Sequence, residues 1–227
     1  MQKGGTMDGV MIIGGVLLLL TVIFSLIWYF DKKRTEAVKN LADSLGLEFV
    51  GNVEPSQLGE VTEFPLFQAG HSRRVRNLLQ GETDIARIQI FDYQYTVGSD
   101  KNKSTHNQTV VSMVSGEIAT PAFELSPEGF FSRVGHWFGG SDIDFVEHPE
   151  FSDSFQLKGP DEETIRQFFD TPLMDFFCQN KSQCVSAKQG ELIYYRQRKA
   201  AKPEAWKDLM SEGFQVYQAI LSRGSRH

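Results

Sequence analysis

Cysteine is nearly absent: Cys178 and Cys184 are the only two in 227 residues. So sparse a complement gives no disulfide framework and fits a reducing compartment better than an oxidising exterior. Their spacing of six positions is wider than a structural zinc pair uses, and no second Cys or His pair follows. Positive charge is also scarce. With 23 Lys and Arg against 29 Asp and Glu, the formal charge is -6. That balance argues against a sequence-independent grip on nucleic acid, which needs a basic face to neutralise phosphates. The chain lacks a P-loop, a dinucleotide glycine fingerprint, a nucleophile elbow and an HExxH helix, so no cofactor is expected. Neither internal repeats nor a disordered composition are present.

One region is empty of charge altogether. Val10 to Phe30 holds no ionisable acid or base, and its polar side chains are Thr21 and Ser25. As a helix, such a run is roughly 31 Å long, about the thickness of a hydrocarbon core. A cleaved secretory signal fits less well. Its apolar stretch is shorter and ends at small residues, whereas this one ends at Ile27-Trp28-Tyr29-Phe30. Trp28 and Tyr29 suit a headgroup layer, and Lys32, Lys33 and Arg34 follow within one turn. Lys3 is the matching cation on the other side. Positive charge stays cytoplasmic. The expected order is a short non-cytoplasmic N-terminus over 1–9, a transmembrane helix over 10–30, a juxtamembrane helix over 31–46 and a cytoplasmic domain over 47–227.

The remaining chain is long enough for one domain with its own core, and 18 Phe point to aromatic packing. Val38, Leu41, Ala42 and Leu45 recur at helical spacing before Gly46. Short apolar runs then predict strands at Leu47–Val50, Phe64–Phe67 and Val75–Leu79. The run from Ile85 to Thr96 is apolar on both alternating faces, which predicts a bulge or a strand buried on both sides. A polar loop joins it to "QTVVSMVSG" as a long hairpin. Further strands are expected near Phe123–Leu125, Ile143–Val146 and Phe155–Leu157.

Helices return after Pro160, where carboxylates favour the positive end of a helix dipole. Ile165, Phe168, Phe169, Leu173, Phe176 and Phe177 form a stripe, with Pro172 breaking it and Thr171 capping a second short helix. Val185–Ala187 and Leu192–Tyr195 read as a hairpin turning at Gln189-Gly190. A last helix opens near Pro203, with Trp206, Leu209, Met210, Phe214, Tyr217, Ile220 and Leu221 on its apolar face. The fold class is α+β: an N-terminal transmembrane helix, then one domain with a mainly antiparallel sheet and C-terminal amphipathic helices.

The densest chemical candidate is "GSDIDFVEHPEFSD", Gly140 to Asp153. On a strand, Asp142 and Asp144 would share one side while Ile143 and Phe145 face the core. With His148 they form a candidate cation site, since hard cations take carboxylate oxygens. The spacing matches no calcium loop. The wet face of a strand explains the same alternation. "HSRRVRN", His71 to Asn77, is a short basic patch that could meet lipid headgroups or a phosphate, though the acidic balance of the chain favours a solvated strand or turn.

"FDYQYTVGSDKNKSTHNQTVV", "DIDFVEHPEF" and "LKGPDEETIRQFF", placed after an N-terminal membrane helix, resemble a group of uncharacterised bacterial membrane-anchored proteins with no assigned activity. The resemblance implies a bacterial inner-membrane setting, in which the Asn-x-Ser/Thr triplets at Asn102, Asn107 and Asn180 carry no glycan. The favoured reading is a membrane-tethered cytoplasmic interaction or scaffold module with a protein partner at the bilayer. The alternative is a metal- or ligand-binding sensor or enzyme built on the acidic segment.

Overall fold

The computed structural model describes residues 5–129, 142–197 and 199–224. Lys3, His136, Gly140, Ser141 and His227 lie outside them. The first helix, α1, runs unbroken over Gly5–Leu45, 41 residues. Its upper part is apolar and bare: the residues from Ile13 to Phe30 are exposed. It is the one described helix long and apolar enough to cross a membrane. Its lower part does different work, burying Val38 and Ala42 in the core of the domain. Membrane-length segment and juxtamembrane helix are thus one rod.

Eight strands follow: β1 (Glu48–Val53), β2 (His71–Glu82), β3 (Arg87–Val97), β4 (Ser104–Val114), β5 (Phe123–Pro127), β6 (Phe155–Lys158), β7 (Gln183–Lys188) and β8 (Glu191–Arg196). They form one sheet in the order β1-β2-β3-β4-β8-β7-β5-β6. Every described pairing is antiparallel. Short helices α2 (Pro65–Gln68), α3 (Pro149–Ser154), α4 (Glu162–Phe168) and α5 (Thr171–Cys178) and the longer α6 (Trp206–Gly224) complete the domain.

Both faces of the sheet are covered. The lower part of α1, with α3 to α6, packs on a core that includes Ile90, Val111, Phe151, Phe169 and Trp206. The segment Pro55–Gln68 covers a second core around Phe91, Tyr93 and Tyr95. This explains the doubly apolar run in β3. Its register with β4 is unbroken, so the strand is buried on both sides and carries no bulge of its own. The bulges lie in β1 and β2.

Four local expectations fail for identifiable reasons. Phe64–Phe67 is no strand: Pro65 opens the single turn of α2, and that turn buries Pro65, Leu66 and Phe67 at once. Thr171 is not the cap of α5. Asp170 is, accepting from the Leu173 N–H at 3.1 Å. Phe214 is 40 % exposed. Gly213 and Val216 face inward instead, and the absent side chain at Gly213 lets α6 approach Val111 and Tyr194. Ile143–Val146, finally, is irregular chain and turn rather than a strand.

Two glycines separate backbone conformation from close approach. Both Gly46 and Gly70 have positive φ, 68° and 58°. A Cβ at Gly46 would meet nothing within 4 Å, whereas one at Gly70 would sit 2.2 Å from the Thr96 carbonyl oxygen. Gly46→Ala should cost about 1 kcal/mol, the left-handed penalty alone. Gly70→Ala should cost roughly 3 kcal/mol or more, because backbone must move. Denaturant melts of the two variants check the ordering.

Candidate functional site

The site lies where α1 enters the domain. In β2 the pairing with β3 shifts between Arg76 and Leu79, and Asn77 adopts φ of 54°. Asn tolerates that region better than most residues. The bulge turns its side chain to Asp92 of β3, where Nδ2 donates to Oδ2 at 3.0 Å. Thr109 of β4, directly opposite Asp92, donates from Oγ1 to Oδ1 at 3.0 Å.

Arg34 of α1 completes the cluster. Its Nε and Nη2 donate to the two Asp92 oxygens at 2.7 and 2.6 Å. Nη2 also donates to the Ala201 carbonyl at 2.7 Å, and the guanidinium lies 5.8 Å from the Trp206 ring centroid. The next residue, Thr35, donates from Oγ1 to Asn77 Oδ1 at 2.9 Å. The Ala201 N–H returns to Thr109 Oγ1 at 2.9 Å. Asp92 thus accepts four hydrogen bonds from three elements, in a partly buried setting where charge-assisted, two-pronged geometry counts most.

Two polar cavities flank this junction. One, of about 360 Å³, is lined by Arg34, Thr35, Asn52, Asn77, Gln94 and Asn107 among others. Its neighbour, of about 590 Å³, is lined by Asn52, Glu54, Gln57, Arg73, Arg74 and Arg76 among others. Asp31, the residue after Phe30, borders both. It meets Arg76 through an exposed pair at 3.3 Å.

The membrane-interface candidates divide accordingly. Trp28 and Tyr29 are exposed on the bare part of α1, and the Lys32 ammonium sits 5.3 Å from the Trp28 ring centroid. Lys33 is exposed as well. Arg34 turns away from them into the domain, its charge taken up by Asp92.

The acidic segment does not assemble as a strand pair. Asp142 Oδ1 accepts the Leu157 N–H at 2.8 Å, while the Ile143 N–H donates to the Leu157 carbonyl at 2.9 Å. The carboxylate takes the place of the carbonyl that a continuing strand would offer. Burial raises the Asp142 pKa, opposed by that hydrogen bond and reinforced by Asp144. Ile143 and Phe145 are buried, as alternation requires. Asp144 is exposed, and Arg166 holds its backbone carbonyl at 2.7 Å. His148 caps α3, its Nδ1 accepting the Phe151 N–H at 3.3 Å, and its Nε2 lies 2.9 Å from Asp175 Oδ1. Asp142 and His148 are engaged in separate structural bonds through their side chains, and Asp144 is held through its backbone carbonyl alone. Among the described residues, no group of three His, Cys, Asp or Glu is placed to hold a metal ion.

Sequence reasoning missed Asp92 and Glu124. The signal for Asp92 was present: a lone carboxylate inside "IFDYQYT", a strand otherwise fit for burial. Glu124 of β5 is 4 % exposed, between Lys158 and Ser186 on the flanking strands. Ser186 Oγ lies 3.5 Å from its carboxyl. Burial pushes the Glu124 pKa up to about 8, with Ser186 and Lys158 pulling the other way.

Two predictions follow from these bonds. Arg34→Ala leaves Asp92 with its strongest partner gone and should destabilise the domain by about 2–3 kcal/mol. Arg34→Lys should recover little, because an ammonium cannot reproduce the fork. Thermal melts of the detergent-solubilised protein measure both. Glu124 keeps its proton in the native state at pH values where the unfolded chain has released it. Its contribution is therefore full below about pH 4.5 and is lost as pH rises towards 8. Glu124→Gln should melt higher than wild type at pH 8 and match it near pH 4, measured as the difference between the two proteins.

No family model matches the chain, and no curated protein does. Its fold is similar to the crystal structure of the mycobacterial trehalose monomycolate transport factor A, TtfA, with a TM-score of 0.51 at 12 % identity. The match covers 83 % of this chain and 93 % of that one. At that identity the likeness is one of fold: a single α+β domain.

Proposed function

We propose that this protein is a single-pass accessory scaffold of a bacterial inner membrane, N-terminus outside, which presents its α+β domain to a membrane-bound partner in the cytoplasm. The observation that carries the reading is the junction at Arg34. A flexible tether would suffice to keep an enzyme near a membrane. Here the helix that leaves the bare apolar segment continues without a break into the domain's core and is bonded there to Asp92 of β3, Asn77 of β2 and the Ala201 carbonyl, while Thr109 of β4 braces Asp92. Such a rod fixes the height and orientation of the domain, which matters for docking and adds nothing to catalysis on a diffusing substrate.

Charge supports the orientation: Lys32 and Lys33 border the apolar run on the domain side. Cys178 and Cys184 are both free, in keeping with a reducing compartment. The fold neighbour is a transport factor by name, in keeping with an accessory role.

Topology and rigidity are tested separately. A C-terminal reporter active only in the periplasm should stay silent, and activity would reverse the orientation. For rigidity, the full-length protein is crosslinked in cells and purified in detergent. One stoichiometric companion should accompany wild type. A Gly-Ser linker inserted between Phe30 and Asp31 should lose it while leaving the protein in the membrane. Equal recovery with the linker would make the tether a leash and remove the case for a fixed scaffold.

A further inference from the structure

The contacts of α1 fix which end of the sheet lies towards the bilayer. Asp31 meets Arg76, Thr35 meets Asn77, and the Leu47 side chain lies against Gly81. β2 therefore descends along α1, and its first residues are at the membrane end. The β3–β4 turn is there too, since His71 Nε2 lies 3.0 Å from the Gly98 carbonyl oxygen. This end is basic although the chain is acidic. Lys32 and Lys33 lie on α1, Arg73, Arg74 and Arg76 on β2, and Lys101 and Lys103 in or beside the turn, while the acids these segments carry are Asp31, Glu54 and Asp100. The formal charge of the whole is -6, so the excess of acid lies on the rest of the domain.

Both polar cavities lie at this end, and Asp31 borders both. Residues 31–34 extend ~6 Å past Phe30 at helical rise. The headgroup layer on one side of a bilayer is roughly 5–8 Å thick. The cavities therefore sit at headgroup depth. Arg34 and Asn77 are committed to Asp92 and Arg73 to the carbonyls of Gln68, Ala69 and Gly70, but other donors keep capacity. Arg74 makes no ion pair among the described residues, and Arg76 has one exposed carboxylate at 3.3 Å. After the Gln94–Asn107 bond, the Asn107 NH2 and the Gln94 carbonyl oxygen have no partner among the described residues, and neither does the NH2 of Asn52.

We propose that these cavities seat the headgroup of an anionic, hydroxyl-bearing glycerophospholipid, its phosphate on Arg74 and Arg76 and its hydroxyls among the Asn52, Gln94 and Asn107 amides. A guanidinium fork suits phosphate oxygens. The side-chain amides both donate and accept, as a hydroxyl does. Lipid here would lock the rod at a set depth. The inference rests on the membrane-anchor reading but needs neither the orientation nor a protein partner.

Native mass spectrometry of the full-length protein in detergent, with equimolar phosphatidylglycerol and phosphatidylcholine, tests it. Wild type should retain phosphatidylglycerol at least tenfold over phosphatidylcholine. Arg74→Gln with Arg76→Gln should bring the two to parity without changing the melting midpoint, because both side chains are on the surface. Lys181→Gln, which removes charge from the loop before β7, should keep the preference. Parity in wild type, or an undiminished preference in the double variant, overturns the proposal. So does a rise in melting midpoint with millimolar glycerol phosphate but no lipid retention, which would assign the cavities to a soluble phosphate. Failure of the protein to extract with membranes at all would instead sink the anchor reading beneath it.

Discussion

The bond between Arg34 and Asp92 joins two environments. On one side of Arg34 is a helix dressed for lipid, and on the other is a folded domain. A free arginine at that position would be a surface cation like Lys32. Bound to both Asp92 oxygens and to the Ala201 carbonyl, it makes helix and domain one body. The supporting bonds have the same purpose. Asn77 and Thr109 hold the carboxylate in place, and Trp206 lies against the guanidinium. Partly buried ion pairs give little net stability by themselves. What this one gives is position, since each partner is costly to leave unpaired.

The sheet is built to accept such a load. It is covered on both faces, by the lower part of α1 and the later helices on one and by Pro55–Gln68 on the other. Its central strands β3 and β4 are long and in unbroken register. Asp92 therefore projects from a strand that cannot shift. The irregularity needed to aim a second polar side chain at it is confined to the neighbouring strand, in the bulge at Asn77.

Much of the architecture was legible from pattern. The helical course of the charge-free run, the period of Val38, Leu41, Ala42 and Leu45, the β3–β4 hairpin, the β7–β8 hairpin at Gly190 and the broken helix around Pro172 all appear as read. These depend on local periodicity and turn chemistry, which sequence carries directly. Failures came where local pattern was ambiguous. Phe64–Phe67 is too short an apolar run to distinguish a strand from one helical turn. Ile143–Phe145 alternates like a strand, yet Asp142 satisfies the next backbone donor with its side chain and ends the ladder. The site was the least legible part. Arg34 reads as one more juxtamembrane cation, and its partner lies 58 positions away. No spacing rule links them. Only the unexplained carboxylate in the middle of an aromatic strand hinted that something would come to meet it.

The central claim is that α1 and the domain move as one body. Its most direct measurement is the distance distribution between spin labels at Leu20→Cys in the bare part of α1 and Glu204→Cys in the exposed turn before α6, by pulsed electron resonance in nanodiscs. Cys178 and Cys184 are replaced by Ser and Ala in this background. A single narrow distribution, broadened by Arg34→Ala, is the predicted result. A broad distribution in the protein with Arg34 intact would contradict the account, since it would mean that the helix swings on the domain it enters.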